Sequence, residues 1–168
     1  YVCDTFNTWK LITYILPRLK TEILARDGKL VIRPDTGDPV DQICGIKNIM
    51  GERNFQEVSL KSIDNFMFLC ESKGVIELLY DIFGGDKSKE GYIRLDPHIG
   101  AIYGDSINLE RQVAIYSRLA DKGFAATNVV LGVGSYTYIM LTRDSAGYAA
   151  KGAWFETLSN EQREEFDI

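Results

Sequence analysis

The segment most informative about the fold is Lys29-Leu-Val-Ile-Arg-Pro-Asp-Thr-Gly-Asp-Pro39. Its apolar beginning predicts a buried strand, and the polar residues that follow predict a tight loop. Pro34 biases the residue before it towards extended backbone, and Gly37 permits a turn. The loop therefore presents a cation, Arg33, and a carboxylate, Asp35, at the carboxyl end of a strand. Parallel α/β proteins place their ligands at such ends.

Composition limits the class of protein. The chain has 168 residues, and we expect residues 1–168 to form a single domain. It is 45% hydrophobic and 26% charged, a balance typical of globular proteins. The net charge of −5 argues against a nucleic-acid partner, and no apolar run is long enough for a membrane span. Cys3, Cys44 and Cys70 form no CxxC pair, which favours reduced thiols and a cytoplasmic location.

Hydrophobic periodicity predicts alternating strands and helices along the chain. The predicted strands are 1–4, 29–33, 100–103, 128–131 and 148–155, with a short strand or loop at 91–95. The predicted helices are 8–25 (interrupted at Pro17), 40–50 (capped by Asp38 or Asp41), 62–83, 108–122 and 136–143, with a final helix opened by a capping box at Ser159 and Gln162. Residues 84–89 are predicted to be a solvated turn. This βα order favours an α/β fold with parallel pairing and right-handed crossovers.

Four of the predicted strands end in polar loops. These loops contain Asp4, residues 33–37, residues 104–106 and residues 132–135. Because the carboxyl ends of parallel strands meet at one face, we expect all four loops to lie close together. Three loops contribute a carboxylate, and the fourth contributes small residues.

This division of residue types suits a phosphorylated sugar. Carboxylates accept hydrogen bonds from paired sugar hydroxyls, and they also bind Mg²⁺. A glycine-rich turn into a helix, here with Gly134 and Ser135, exposes backbone N–H groups that suit a phosphate. Arg143 would add a bidentate cation, and Arg33 would meet an anionic or amide group.

Each of these features also has a purely structural interpretation. A Gly-x-Gly sequence after a strand is more often a plain tight turn, and Asp4 or Asp105 alone is more often a helix cap. Arg33 and Asp35 would form an ion pair whether or not a ligand binds there. Only their joint placement at successive strand ends favours a binding site.

Four segments, taken together, resemble the nicotinamide phosphoribosyltransferase family. They are Leu30-Val-Ile-Arg-Pro-Asp-Thr-Gly-Asp-Pro39, Tyr103-Gly-Asp-Ser106, Gly132-Val-Gly-Ser135 and Leu141-Thr-Arg-Asp144. The resemblance implies the later strands of an irregular (β/α) barrel of the type II phosphoribosyltransferase kind. It implies transfer of 5-phosphoribosyl from phosphoribosyl pyrophosphate to nicotinamide with Mg²⁺, giving nicotinamide mononucleotide and pyrophosphate in NAD biosynthesis.

The resemblance also implies a role for particular residues. Arg33, with Pro34, would lie near the carboxamide and the pyrophosphate, while Asp35 and Asp105 would hold ribose hydroxyls, with Gly104 beside them. The remaining assignments are Gly134, Ser135 and Arg143 around the 5′-phosphate, Asp4 near the pyrophosphate and magnesium, and Lys151 facing the same phosphates. Asp35 and Arg33 are the residues we expect to be catalytic.

The family's catalytic histidine lies upstream of the matching region and is not in this sequence. We therefore expect a fragment of a larger homodimeric enzyme whose active site lies at the subunit interface. Half a barrel leaves sheet edges open, so the 168 residues alone should be inactive and poorly folded. Two alternatives stay open: a nicotinate phosphoribosyltransferase, and a non-catalytic barrel that binds a nucleotide.

Overall fold

A computed structural model describes residues 1–3, 7–47 and 63–134, with only the backbone described at 63–65. In chain order its elements are α1 (Thr8–Lys10), a π-helical turn (Leu11–Ile15), a 3₁₀ turn (Leu16–Leu19), α2 (Lys20–Leu24), β1 (Leu30–Ile32), α3 (Pro39–Cys44), α4 (Ile63–Phe83), β2 (Gly85–Lys87), β3 (Ile93–Leu95), β4 (Ile99–Tyr103), α5 (Leu109–Asp121), a 3₁₀ turn (Ala126–Asn128) and β5 (Val129–Leu131). The predicted helix 136–143, strand 148–155 and final helix lie outside the described residues.

The three strands β1, β4 and β5 form a parallel sheet in that order, with Leu30 opposite Ile99 and Ala101 opposite Val129. The start of the chain continues the same sheet, since Val2 pairs in parallel with Arg33. The predicted parallel α/β arrangement is therefore confirmed for these strands. Because these strands run parallel, their carboxyl ends all lie at one edge of the sheet.

The segment before β1 is helical but changes its winding. Asn7 caps it by accepting a hydrogen bond from the N–H of Lys10 at 2.9 Å. Pro17 lies at the start of the 3₁₀ turn, so the predicted interruption at this proline is confirmed. The buried residues Trp9, Ile12, Leu16 and Ile23 form the apolar face of this segment.

The helix after β1 is shorter than predicted. Asp38, not Asp41, caps α3 by accepting hydrogen bonds from the N–H groups of Val40 and Asp41. The helix ends at Gly45, whose φ of 83° breaks the helical backbone.

Two glycines allow α3 to pack directly on α4. Gly74 interrupts α4 with a φ of 77°, and a Cβ there would lie 2.2 Å from the backbone nitrogen of Gly45. Two basic side chains at the end of α5 stabilise this contact. Arg118 donates to the Gly45 carbonyl at 2.9 Å, and Lys122, directly after the helix, donates to the Lys73 carbonyl at 2.9 Å. These hydrogen bonds join α3, α4 and the end of α5.

The prediction of a solvated turn at 84–89 is wrong. Residues 85–87 form β2, which pairs antiparallel with β3, and Asp86 is opposite Arg94. The exposed ion pair between these two side chains explains the polar composition that suggested a turn. Antiparallel strands joined by a short turn fit no βα unit, so this hairpin lies apart from the parallel sheet.

One buried side chain connects the hairpin to the parallel sheet. Asn128 accepts a hydrogen bond from the N–H of Leu95 and donates one to the carbonyl of Ile93, both at 2.9 Å. The amide thus pairs with β3 as a neighbouring strand would. Buried polar groups of this kind are costly to leave without partners.

The core is apolar and reaches from the sheet to the helices. Its fully buried side chains include Ile32, Ile43, Ile76, Ile99 and Ile115. Cys3, Cys44 and Cys70 are buried, and no disulfide joins them in the part of the chain that the structure describes. Within the described ranges, no helix combines the length and the apolar character that crossing a bilayer requires.

We predict that Asn128→Ala in the complete polypeptide lowers the free energy of unfolding by about 1–3 kcal/mol, because the N–H of Leu95 loses its partner in a buried place. Denaturant titration measures the change. Thr127→Ala is the matched control, since this exposed neighbour should change stability by less than about 0.5 kcal/mol. Equal values for the two variants would contradict the structural role of the Asn128 amide.

Candidate functional site

The ends of β1, β4 and β5 come together closely. A Cβ built on Gly132 would lie 2.8 Å from the Cα of Gly104, and one built on Gly104 would lie 3.6 Å from Nη2 of Arg33. The N–H of Gly132 donates to the carbonyl of Tyr103 at 2.8 Å. The backbone at the end of β4 therefore lies between the Arg33 guanidinium and the backbone that follows β5. The absence of a side chain at Gly132 leaves room for this approach.

The loop after β1 holds a cation and a carboxylate together. Nη2 of Arg33 lies 3.1 Å from Oδ1 of Asp35, and their side chains are 44% and 30% exposed. Pro34 between them is buried, which fixes the backbone of the loop. An exposed pair of this kind contributes little to stability. Its position at the strand end, open to solvent, leaves both groups available to a ligand.

Tyr103, the last residue of β4, joins two of the loops. Its buried hydroxyl donates a hydrogen bond at 2.9 Å to the carbonyl of Gly37, which lies in the loop after β1. Burial, with the negative charges of Asp105, Asp35 and Asp38, raises the pKa of Tyr103 to about 12. The carboxylates of two loops therefore act on one phenol, and the hydroxyl remains a donor at neutral pH.

The loop after β4 has an unusual backbone. Ser106 has a φ of 54°, the one positive value outside glycine among the residues described. Arg111 donates to the Ser106 carbonyl, and the Asn108 side chain caps α5 by accepting from the N–H of Arg111 at 2.8 Å. A non-glycine residue in this conformation persists only where its surroundings hold it, and such residues cluster at functional sites. The loop holds Asp105 exposed at its tip.

Of the residues predicted for the site, the structure brings together six. Arg33, Pro34, Asp35, Gly104 and Asp105 lie in the two loops just described, and Gly134 follows β5 at the same edge. Asp4, Ser135, Arg143 and Lys151 lie outside the described residues, so their places in the site stay predictions.

Sequence reasoning missed two features. The first is the contact that the Tyr103 side chain makes with the loop after β1. The signal for it was an aromatic residue directly before Gly-Asp-Ser. The strained conformation of Ser106 has no signal in the sequence, because serine rarely adopts it.

The described residues contain no group of three or more His, Cys, Asp or Glu side chains arranged to hold a metal ion. Asp35 and Asp105 are nevertheless of the chemical type that Mg²⁺ prefers. Mg²⁺ is commonly bound by one or two carboxylates together with substrate phosphates. The donor set here fits that kind of binding better than a site built from protein ligands alone.

Cavity volume alone would favour a different part of the described structure as the functional site. A cavity of about 560 Å³ is lined by Tyr92, Tyr116 and Phe124 among others. A smaller one of about 350 Å³ lies at the opposite end of the sheet, beside Lys29 and Asn128. We favour the strand-end loops as the functional site because they concentrate charge, strain and close backbone approach.

The parallel sheet, with charged loops at the carboxyl ends of its strands, defines an α/β protein whose candidate site lies at one sheet edge. Residues 3–157 match the model of the nicotinate phosphoribosyltransferase (NAPRTase) family, so the chain belongs to that family.

Similar proteins carry a more particular name. The "Nicotinamide phosphoribosyltransferase" of Acinetobacter baylyi is 40% identical over 159 residues, which cover 91% of this chain and 28% of the relative. The protein of the same name from Mycoplasma pneumoniae is 37% identical, covering 89% of this chain and 30% of the relative. These matches confirm the resemblance found in the sequence. The chain spans less than a third of the length of these relatives.

We predict that Gly132→Ala in the complete polypeptide lowers the free energy of unfolding by about 1–3 kcal/mol, since its Cβ would overlap the backbone of Gly104. Gly104→Ala is the matched control: its Cβ would be in ordinary contact with Arg33, at 3.6 Å, so the loss should stay below about 1 kcal/mol. Thermal unfolding of both variants tests the order. A smaller loss for Gly132→Ala than for Gly104→Ala would show that the strand ends lie further apart.

Proposed function

We propose that this chain is part of an enzyme that transfers the 5-phosphoribosyl group from phosphoribosyl pyrophosphate to nicotinamide, giving nicotinamide mononucleotide and pyrophosphate in NAD salvage. The observation that carries the proposal is the gathering of Arg33, Asp35, Gly104 and Asp105 at one edge of a parallel sheet. The names of the relatives, which match about nine tenths of this chain, support the same reaction.

The charges at the site suit each part of the substrate. Asp35 and Asp105 would accept hydrogen bonds from the ribose hydroxyls, which are paired donors that carboxylates recognise well. The same negative charge would stabilise the positive charge that develops on the ribose ring as the bond from C1 to pyrophosphate breaks. Arg33 would balance the negative pyrophosphate or contact the carboxamide.

The 5′-phosphate would bind after β5. Among the described residues, no atom lies within 4 Å of the position that a Cβ on Gly134 would take, which leaves space on that side of the residue. Ser135 and Arg143 would complete this part of the site, and Asp4 and Lys151 would face the pyrophosphate. When bound, Mg²⁺ would neutralise the leaving group, and the carboxylates at the strand ends would help to hold it.

The sheet described here would form the later strands of an irregular barrel. Parallel strands that pair side by side in the order of the sequence support this proposal, because a barrel of this kind is built from such strands. The complete enzyme would act as a homodimer in the cytoplasm. The 168 residues alone should lack activity, and turnover by the purified fragment would overturn that expectation.

Nicotinate is the second candidate for the base, because the family model takes its name from nicotinate transfer. A competition assay with equal concentrations of nicotinamide and nicotinate separates the two, and we expect nicotinamide mononucleotide as the main product. Binding of nicotinamide mononucleotide without any turnover of either base would favour a non-catalytic barrel instead.

We predict that Asp35→Asn in the complete polypeptide lowers kcat/KM for phosphoribosyl pyrophosphate by about 30-fold or more, equivalent to about 2 kcal/mol of transition-state stabilisation. The amide keeps the shape of the side chain but removes its charge. The matched control is Asp121→Asn, which makes the same change in an exposed pair with Lys47 at 3.3 Å. Unchanged kinetics in Asp35→Asn would remove this residue from the site.

A further inference from the structure

We propose that Tyr103 is a positioning residue, which sets the distance between the carboxylates of Asp35 and Asp105 by holding the loop after β1 against the end of β4. The inference rests on the proposed function and names a residue that the site assignment did not include. Tyr103 itself would not touch the reacting atoms.

The contacts of Tyr103 reach both neighbouring strands. Its side-chain hydroxyl donates to the carbonyl of Gly37, 66 residues earlier in the chain, at 2.9 Å. Its backbone carbonyl accepts from the N–H of Gly132 at 2.8 Å. One residue therefore joins the end of β1, the end of β4 and the end of β5. No other contact described between these loops involves a side-chain hydroxyl.

The hydroxyl of Tyr103 binds the loop close to Asp35, and it therefore limits where the Asp35 carboxylate can lie. Gly37 lies two residues after Asp35 and has a φ of 93°, so it marks the bend of the loop. The loop is held on one side by buried Pro34 and on the other by Asp38, which caps α3. The hydrogen bond from Tyr103 fixes the bend between these two anchors.

The same residue lies two positions before Asp105. The following loop is held from its far side by Arg111, which donates to the carbonyl of Ser106. Tyr103 is 1% exposed, so its ring cannot move without disturbing the core. Because the ring is held rigidly between the two loops, it fixes the position of the Asp35 carboxylate relative to that of Asp105.

Burial and the surrounding charge keep the Tyr103 hydroxyl protonated, so that it remains the donor of this hydrogen bond. Since burial and the nearby carboxylates hold the pKa of Tyr103 near 12, the phenol stays protonated throughout the neutral range. The contact therefore does not depend on pH where the enzyme would work.

The test is Tyr103→Phe in the complete polypeptide, which removes one oxygen and keeps the ring. The loss of a single neutral hydrogen bond that holds the loop carrying Asp35 should lower kcat/KM for phosphoribosyl pyrophosphate about fivefold to tenfold. Tyr80→Phe is the matched control. The Tyr80 ring packs edge-on against Phe124, with centroids 5.6 Å apart and away from the strand ends, and its variant should stay within about twofold.

A double-mutant cycle separates positioning from a general loss of stability. If Tyr103 acts through the loop that carries Asp35, then Asp35→Asn should cost less in the Tyr103→Phe background than in the wild-type protein. Asn128→Ala weakens the fold at the opposite end of the sheet, so its effect should be independent of Asp35→Asn.

The outcomes are distinct. Equal kinetics for Tyr103→Phe and Tyr80→Phe would overturn the inference while leaving the proposed function intact. Fully additive effects of Tyr103→Phe and Asp35→Asn would do the same, because the two residues would then act separately. A wild-type protein that makes no nicotinamide mononucleotide would overturn the proposed function, and this inference with it.

Discussion

The close approach of the strand ends is the constraint on which the rest of the site depends. The backbone of Gly104 lies so near Gly132 that no side chain fits between them, and the guanidinium of Arg33 lies on its other side. Parallel pairing brings the strands together at about the same height, since Ala101 is opposite both Ile32 and Val129. Side chains just past those positions must then share a small space.

The packing of the helices also helps to hold the loop after β1 in place, although the helices contact one another away from the strand ends. The backbone contact between Gly45 and Gly74 lets α3 and α4 approach more closely than side chains would allow. Arg118 and Lys122 satisfy carbonyl groups at this contact that the two helix breaks would otherwise leave without partners. The loop after β1 leads directly into α3, so the position of α3 limits where Asp35 can lie. In this way a packing contact on the helix side helps to place a charge at the sheet edge.

Much of this could be predicted from sequence. The apolar run of β1, the interruption at Pro17 and the cap at Asp38 all follow from local rules, and local rules act within a few residues. Strand β2 was missed because its residues are polar and exposed, and a strand with no buried face leaves no periodic pattern. Its partner β3 lies within the strand or loop predicted at 91–95. The break of α4 at Gly74 was missed as well, because a glycine within an apolar helical pattern does not distinguish a helix that continues from one that bends.

The sequence by itself determined which residue types follow each strand, and thereby the chemistry available to the site: carboxylates, one arginine and glycines. Those choices are local, and the βα order already required the strand ends to share an edge. Only the tertiary structure decided that Gly104 would contact Gly132, that the Tyr103 hydroxyl would reach Gly37, and that Ser106 would take a strained backbone. These contacts join residues far apart in the chain, and their geometry depends on how the whole sheet and its helices pack.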